Sequence, residues 1–134
     1  MSRVPARLAA QSRERAAFRC EYCRLPSIAS QAAFEVEHIV PRKHKGPTAL
    51  ENLALACMHC NRHKGVNISG LCLPDGKLVR LFHPRRDPWH RHFRVRDGLL
   101  IGRTEIGRIT IQVLVMNNRD QVQLRRLWFT QFPP

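Results

Sequence analysis

Two cysteine pairs and a histidine beside a carboxylate are the residues of this chain whose types and spacing could do chemistry. Cys20-Glu21-Tyr22-Cys23 and Cys57-Met58-His59-Cys60 are each a C-x2-C. Two such pairs supply the four thiolates of a closed tetrahedral zinc site, so Cys20, Cys23, Cys57 and Cys60 are expected to hold a structural Zn2+. About 33 residues separate the pairs, more than a simple zinc ribbon carries. Glu37-His38-Ile39-Val40-Pro41 lies among them.

Phosphodiester hydrolysis is the chemistry this insert could serve. The attacking water must lose a proton, and a cation must neutralise the pentavalent phosphate and the leaving oxygen. His38 is the best base in the chain, because an imidazole near neutral pKa can accept that proton. Glu37 and Asn61 offer the hard oxygen donors that Mg2+ prefers. The Asn52 amide can bond backbone near His38 and fix its ring. Arg62 and Lys64 can reach phosphate, as can Arg42, Lys43 and Lys45 in the basic turn after Pro41, and Arg85 and Arg86 further on. His59 and His63 flank Asn61 and are candidates to join its shell.

The elements that must position these groups can be read in order. Val4 to Arg19 is expected to be a surface helix with Arg3, Arg7, Arg13, Arg15 and Arg19 outward. After the first knuckle, Ala33 to Val40 alternates like a strand that Pro41 ends. Thr48-Ala49-Leu50-Glu51 has capping-box spacing and suggests one helical turn. Leu53 to Ala56 reads as a short strand, and Asn61 to Gly65 should open a short helix. Gly70 to Phe82 is strand and turn, with Leu78, Val79, Leu81 and Phe82 apolar. His83 to His92 reads as loop. Phe93 to Val95 and Leu99 to Thr104 form a hairpin across Arg96-Asp97-Gly98. Gly107 to Asn117 suits strand or helix. Asp120 to Phe132 reads as an amphipathic helix with Leu124, Leu127 and Trp128 as its stripe. The fold class is therefore α+β, in one domain with a core at about 15–66 and an extension at about 67–134.

Charge narrows the partner. Lys and Arg number 23 against 10 Asp and Glu, a formal +13. A zinc ion with four thiolates carries about −2, which brings the working charge to about +11. Such a field favours a polyanion, so DNA is the expected partner and RNA the alternative; the competing readings are a generally basic, solvated surface and an acidic protein partner. Cys72, alone between Leu71 and Leu73, reads as a small buried hydrophobe. Reduced, metal-bound cysteines suit the cytoplasm. No apolar run reaches membrane-spanning length, and no signal peptide, internal repeat or low-complexity linker is evident.

Taken together, Arg15-Ala16-x-x-x-Cys20-Glu21-Tyr22-Cys23, Glu37-His38-Ile39-Val40-Pro41, Glu51-Asn52-Leu53 and Cys57-x-x-Cys60-Asn61-x-x-Lys64-Gly65 resemble the HNH endonucleases, over about residues 15–65. The resemblance implies a ββα-metal core stapled by the four-cysteine zinc, with a C-terminal β-hairpin and helices around it. It implies His38 as general base, Glu37 and Asn61 as ligands of a catalytic Mg2+ or Mn2+, and Asn52 as the residue that orients His38. Two positions depart from the pattern. Asn61 stands where a histidine is usual, which makes this an HNN variant and favours Mg2+ or Mn2+. Lys45-Gly46-Pro47 replaces a turn usually rich in paired glycines. A weaker likeness links Leu81-Phe82-His83-Pro84-Arg85, Trp89-x-x-His92-Phe93 and Gly107-Arg108-x-Thr110 to a C-terminal region of some HNH proteins. The expected activity is a metal-dependent DNA endonuclease, monomeric or homodimeric, and the rival is a non-catalytic zinc-stabilised nucleic-acid-binding module.

Overall fold

In the computed structural model, which describes residues 4–134, the first helix is shorter than its arginine-rich pattern suggests. α1 spans Ala6–Arg15. Ala17 and Phe18 adopt φ of 52° and 57°, and this left-handed pair turns the chain into the first cysteine knuckle. Its arginines do not all point outward. Arg13 donates to Phe34 O at 3.1 Å, and Arg15 donates to Leu50 O at 2.8 Å and Leu53 O at 2.6 Å, so α1 is pinned to the backbone it covers. Arg3 lies outside the described residues.

β1 (Glu35–His38) pairs antiparallel with β2 (Leu53–Ala56), Glu37 facing Ala54 and His38 facing Leu53. β2 is a continuous run of small apolar residues, all buried, because α1 covers it and the first knuckle adds to its free edge. Glu21 N–H donates to Leu55 O at 2.8 Å, and Leu55 N–H donates to Glu21 Oε2 at 2.9 Å. α2 (Met58–Lys64) follows at once. It begins ahead of the expected Asn61, because Cys57 caps it: the Cys57 sulfur accepts the Cys60 N–H at 3.3 Å. Asn61 therefore sits within the helix rather than at its start.

The second half is two ribbons gripped by helices. β3 (Ser69–Cys72) pairs with β4 (Lys77–Arg80), and β5 (Phe93–Arg96) with β6 (Leu99–Gly102). The stretch expected to be loop ends in a helical turn, α3 (Trp89–His92). The ambiguous β-branched stretch is a helix, α4 (Glu105–Val113), capped by Thr104, whose hydroxyl accepts the Gly107 N–H at 3.0 Å. Its Ile109, Thr110 and Leu114 repeat at helical spacing on the buried side, and that period outweighs β-propensity. At Gly107 a Cβ would lie 2.1 Å from His92 O, so only glycine permits this approach of α4 to α3. α5 (Arg119–Trp128) corrects the expected stripe: Leu127 is 68% exposed and Arg125 is 0% exposed. Leu78 is also exposed, and Cys72 is only half-buried.

One hydrophobic cluster runs through both halves, from Tyr22, Phe34 and Leu55 to Phe82, Trp89, Phe93, Ile109 and Leu114. Phe82 meets Tyr22 and Phe93 edge-on, and Trp89 donates its indole N–H to Tyr22 O at 2.8 Å. No helix among the described residues is long and apolar enough to cross a membrane.

Candidate active site and metal centre

The two knuckles close on each other. The sulfurs of Cys20, Cys23, Cys57 and Cys60 lie within 4.8 Å of one another, all four residues buried. The knuckles are built alike: Cys23 N–H donates to Cys20 Sγ at 3.4 Å as Cys60 N–H donates to Cys57 Sγ at 3.3 Å. Bonds from Cys20, Cys57 and Cys60 hold the Cys23 thiol well below its ordinary value, while the same crowding, led by Cys20, pushes Cys57 and Cys60 up. Four adjacent thiols cannot all ionise without a dication among them, and a tetrahedron of four sulfurs is what Zn2+ takes. The donor set fits a structural zinc.

His38 ends β1 and is largely buried. Its Nε2 lies 2.7 Å from Thr48 Oγ1, and Thr48 Oγ1 also accepts from Arg42 Nη1 at 2.9 Å. Nδ1 has no protein partner among the described residues, so it is the nitrogen open to a water. Burial, then the charges of Arg42 and Lys64, lower the His38 pKa and favour the neutral ring. Thr48 is not legible as a site residue in the sequence, because its spacing to Glu51 mimics a capping box. The short helical turn is Leu50–Asn52 with Ala49 at its cap, which frees the Thr48 hydroxyl.

Asn52 bonds backbone two residues beyond His38, not the ring itself. Its Oδ1 accepts the Val40 N–H at 2.9 Å, and its Nδ2 donates to Val40 O at 3.0 Å and Pro47 O at 2.8 Å. The amide thus closes the loop between β1 and β2. Gly46 completes the clasp, since a Cβ there would fall 1.8 Å from Val40 O and 2.8 Å from Asn52 Nδ2. Lys45 takes the left-handed φ of 66° that a glycine would favour.

Glu37 and Lys64 form a buried pair. Lys64, 2% exposed, donates to Glu37 Oε1 at 3.0 Å, Ile39 O at 2.8 Å and His38 O at 3.2 Å. Tyr22 donates its hydroxyl to Glu37 Oε2 at 2.5 Å. Burial raises the Glu37 pKa, and the Lys64 charge opposes that. Lys64 is therefore corrected from a phosphate contact to an internal cation: all three of its donors are spent inside the chain. Arg85 is corrected likewise. It turns inward to Glu21, and burial lowers its guanidinium to about 10.

A groove of about 1110 Å3 is lined by β1, the 41–43 turn and α2. His38, Glu37 and Asn61 meet there with Arg42, Lys43 and Arg62, and the side chain of Asn61 makes no protein hydrogen bond among the described residues. Arg42, Lys43, Lys45, Arg62 and Arg86 are exposed. His59 and His63 do not join Asn61: their rings stack at 4.4 Å, and His59 Nε2 sits 2.8 Å from Val115 O.

Residues 20–67 match the family model described as HNH endonuclease. Among curated proteins the chain is similar to the Septu protein PtuB of Bacillus thuringiensis, 28% identical over 112 residues, which are 81% of this chain and 40% of that protein. The chain thus spans well under half the length of the relative it matches. No solved structure matches it significantly.

Proposed function

We propose that the chain, whose residues 20–67 match the HNH endonuclease family model, hydrolyses phosphodiester bonds of DNA with His38 as general base. The observation that supports this most is the state of His38: neutral-favouring, fixed at Nε2 by Thr48, and set in a groove walled by exposed arginine and lysine. In this reading water lies against Nδ1 and gives up its proton there as it attacks phosphorus. Asn52 keeps the 40–47 backbone closed and so positions the histidine. Arg42, Lys43 and Arg62 hold flanking phosphates, with Lys45 and Arg86 extending the track.

Glu37 and Asn61 would hold the divalent cation, Mg2+ or Mn2+, in what would then be a ββα-metal site. Both border the groove, and both offer hard oxygens. A carboxylate has about four acceptor sites, so the bonds from Tyr22 and Lys64 leave room for a ligand bond. When bound, such a cation neutralises charge on the phosphate and the leaving oxygen. Lys64 already offsets much of the Glu37 charge, so the cation would be held largely by substrate phosphate, as Mg2+ often is. The same buried pairing favours a second reading, a zinc-stabilised module that binds nucleic acid without cutting it. The reduced four-cysteine site suits a cytoplasmic protein. One site makes one cut, so double-strand cleavage would need a homodimer or two events.

Supercoiled plasmid at low salt with Mg2+ or Mn2+ separates the readings. Nicked circles from wild type, and none from His38→Ala of equal zinc content and DNA affinity, would support the nuclease. Salt-dependent binding by both with no cleavage by either would favour the binding module. In both readings Lys43→Ala lowers the slope of log affinity against log salt by about one.

A further inference from the structure

The groove holds fewer free cations than the charge of the chain implies. Arg42 donates to Thr48, Lys64 is spent on Glu37 and two carbonyls, and Arg85 turns to Glu21. Much of the unanswered charge lies on the β5–β6 ribbon instead. Residues 90–104 carry Arg91, Arg94, Arg96 and Arg103 against one acid, Asp97. All four arginines are exposed, and among the described residues none pairs with a carboxylate. Register fixes which way the ribbon presents them. Phe93 pairs with Gly102, Arg94 with Ile101, Val95 with Leu100 and Arg96 with Leu99. Opposite residues share a face, and successive residues alternate. Phe93 and Leu100 are buried, so Arg94 and Arg96 stand on the outer face with Ile101 and the exposed Leu99. Arg103, two residues beyond Ile101, extends that row. The ribbon is held at both ends. At Gly98 a Cβ would lie 2.3 Å from Val122 O of α5, and at Gly102 it would lie 2.6 Å from Arg108 N of α4.

We propose that this outer face is a second nucleic-acid surface, outside the groove, on which Arg94, Arg96 and Arg103 hold the sugar-phosphate backbone. The identity of the polyanion rests on the nuclease reading above; the surface rests on the ribbon. None of these three arginines lines the groove. Alternate residues of a strand are about 6.6–6.8 Å apart, the span of two charge steps along one nucleic-acid strand, so Arg94 and Arg96 can each meet a phosphate. A guanidinium fork takes phosphate oxygens in pairs. Leu99 and Ile101, across the ribbon, leave the row without an anion of its own to compete. Such contacts hold and orient the nucleic acid without reading its sequence.

The test uses the full zinc-loaded chain and a fluorescein-labelled DNA duplex, without added Mg2+ or Mn2+, so that binding is read apart from cutting. Affinity is followed against salt for four proteins: wild type, the triple variant Arg94→Gln, Arg96→Gln, Arg103→Gln, the same triple to Lys, and Arg7→Gln, which removes an exposed arginine of α1. The slope of log affinity against log salt should fall by about 0.9 per contacting arginine removed, so by about 2.7 in the Gln triple. It should stay near wild type in the Lys triple, which keeps the charge, and in Arg7→Gln. An unchanged slope in the Gln triple, or an equal fall per residue in Arg7→Gln, overturns the proposal. Loss of poly-glutamate binding in the Gln triple with the duplex slope unchanged would assign the face to an acidic protein instead. On wild type alone, bound duplex should shield Arg94, Arg96 and Arg103 from phenylglyoxal and leave Arg7 open; equal modification with and without duplex also overturns it. Binding without cutting by wild type would sink the nuclease reading and leave this surface standing, and cutting with an unchanged Gln-triple slope would do the reverse.

Discussion

Among the described residues each half of the molecule fully buries one cation, Lys64 or Arg125, and the two are compensated differently. In the first half Lys64 meets Glu37 and two carbonyls, so its charge is answered by a carboxylate on the neighbouring strand. In the second half Arg125 meets two carbonyls and an amide oxygen, and its charge is answered by no carboxylate. The first arrangement closes on itself; the second leaves Nη1 of Arg125 buried without a partner among the described residues. The strand that carries Glu37 and His38 is thus held by an ion pair local to it, while the last helix is held by bonds to backbone carbonyls and an amide oxygen.

Breaking the metal site should have the largest effect. Cys57→Ser, or removal of zinc by chelator, should cost most of the folding free energy, because metal binding supplies it; zinc content and far-ultraviolet circular dichroism report it together. Next comes Lys64→Met, which leaves Glu37 buried and unpaired and should lower stability by about 3–5 kcal/mol. The double variant Lys64→Met, Glu37→Leu should recover much of that in urea unfolding, whereas no carboxylate substitution can rescue Arg125→Met. Asn52→Ala removes three bonds that close the loop and should cost about 2–3 kcal/mol, with cleavage falling further than DNA affinity. Thr48→Val frees His38 Nε2 and should slow single-turnover cleavage about tenfold, or about 1.4 kcal/mol, at unchanged melting temperature. Smallest is Leu127→Gln, expected within about 0.5 kcal/mol of wild type, since the leucine is already in solvent.

The same contrast explains what could be read from the chain alone. Around the knuckles, chemistry and spacing coincide: cysteines at metal-ligand spacing bracket β1, β2 and α2, and Glu37 and His38, neighbours at the end of β1, both line the groove. The partners of those groups could not be read, because Tyr22, Thr48 and Lys64 reach the site through the fold rather than through spacing. In the C-terminal half polarity itself misleads. Leu127 of α5 faces water while Arg125 of the same helix is buried, and only the fold brings to it the carbonyls it bonds. α4 is ambiguous in sequence because β-branched residues and helical period disagree, and packing against both ribbons decides it.

The most direct measurement is the single-turnover rate of DNA cleavage against pH, wild type beside His38→Ala. The base must be neutral to act, and His38 titrates below its ordinary 6.5. Wild type should therefore keep its rate down to that pH and lose it only in more acid solution, while His38→Ala should be slower by about 10²–10⁴ and lack that acid limb. Equal rates with the same acid limb in both proteins would contradict the assignment of His38 and, with it, the account of the groove as a hydrolytic site.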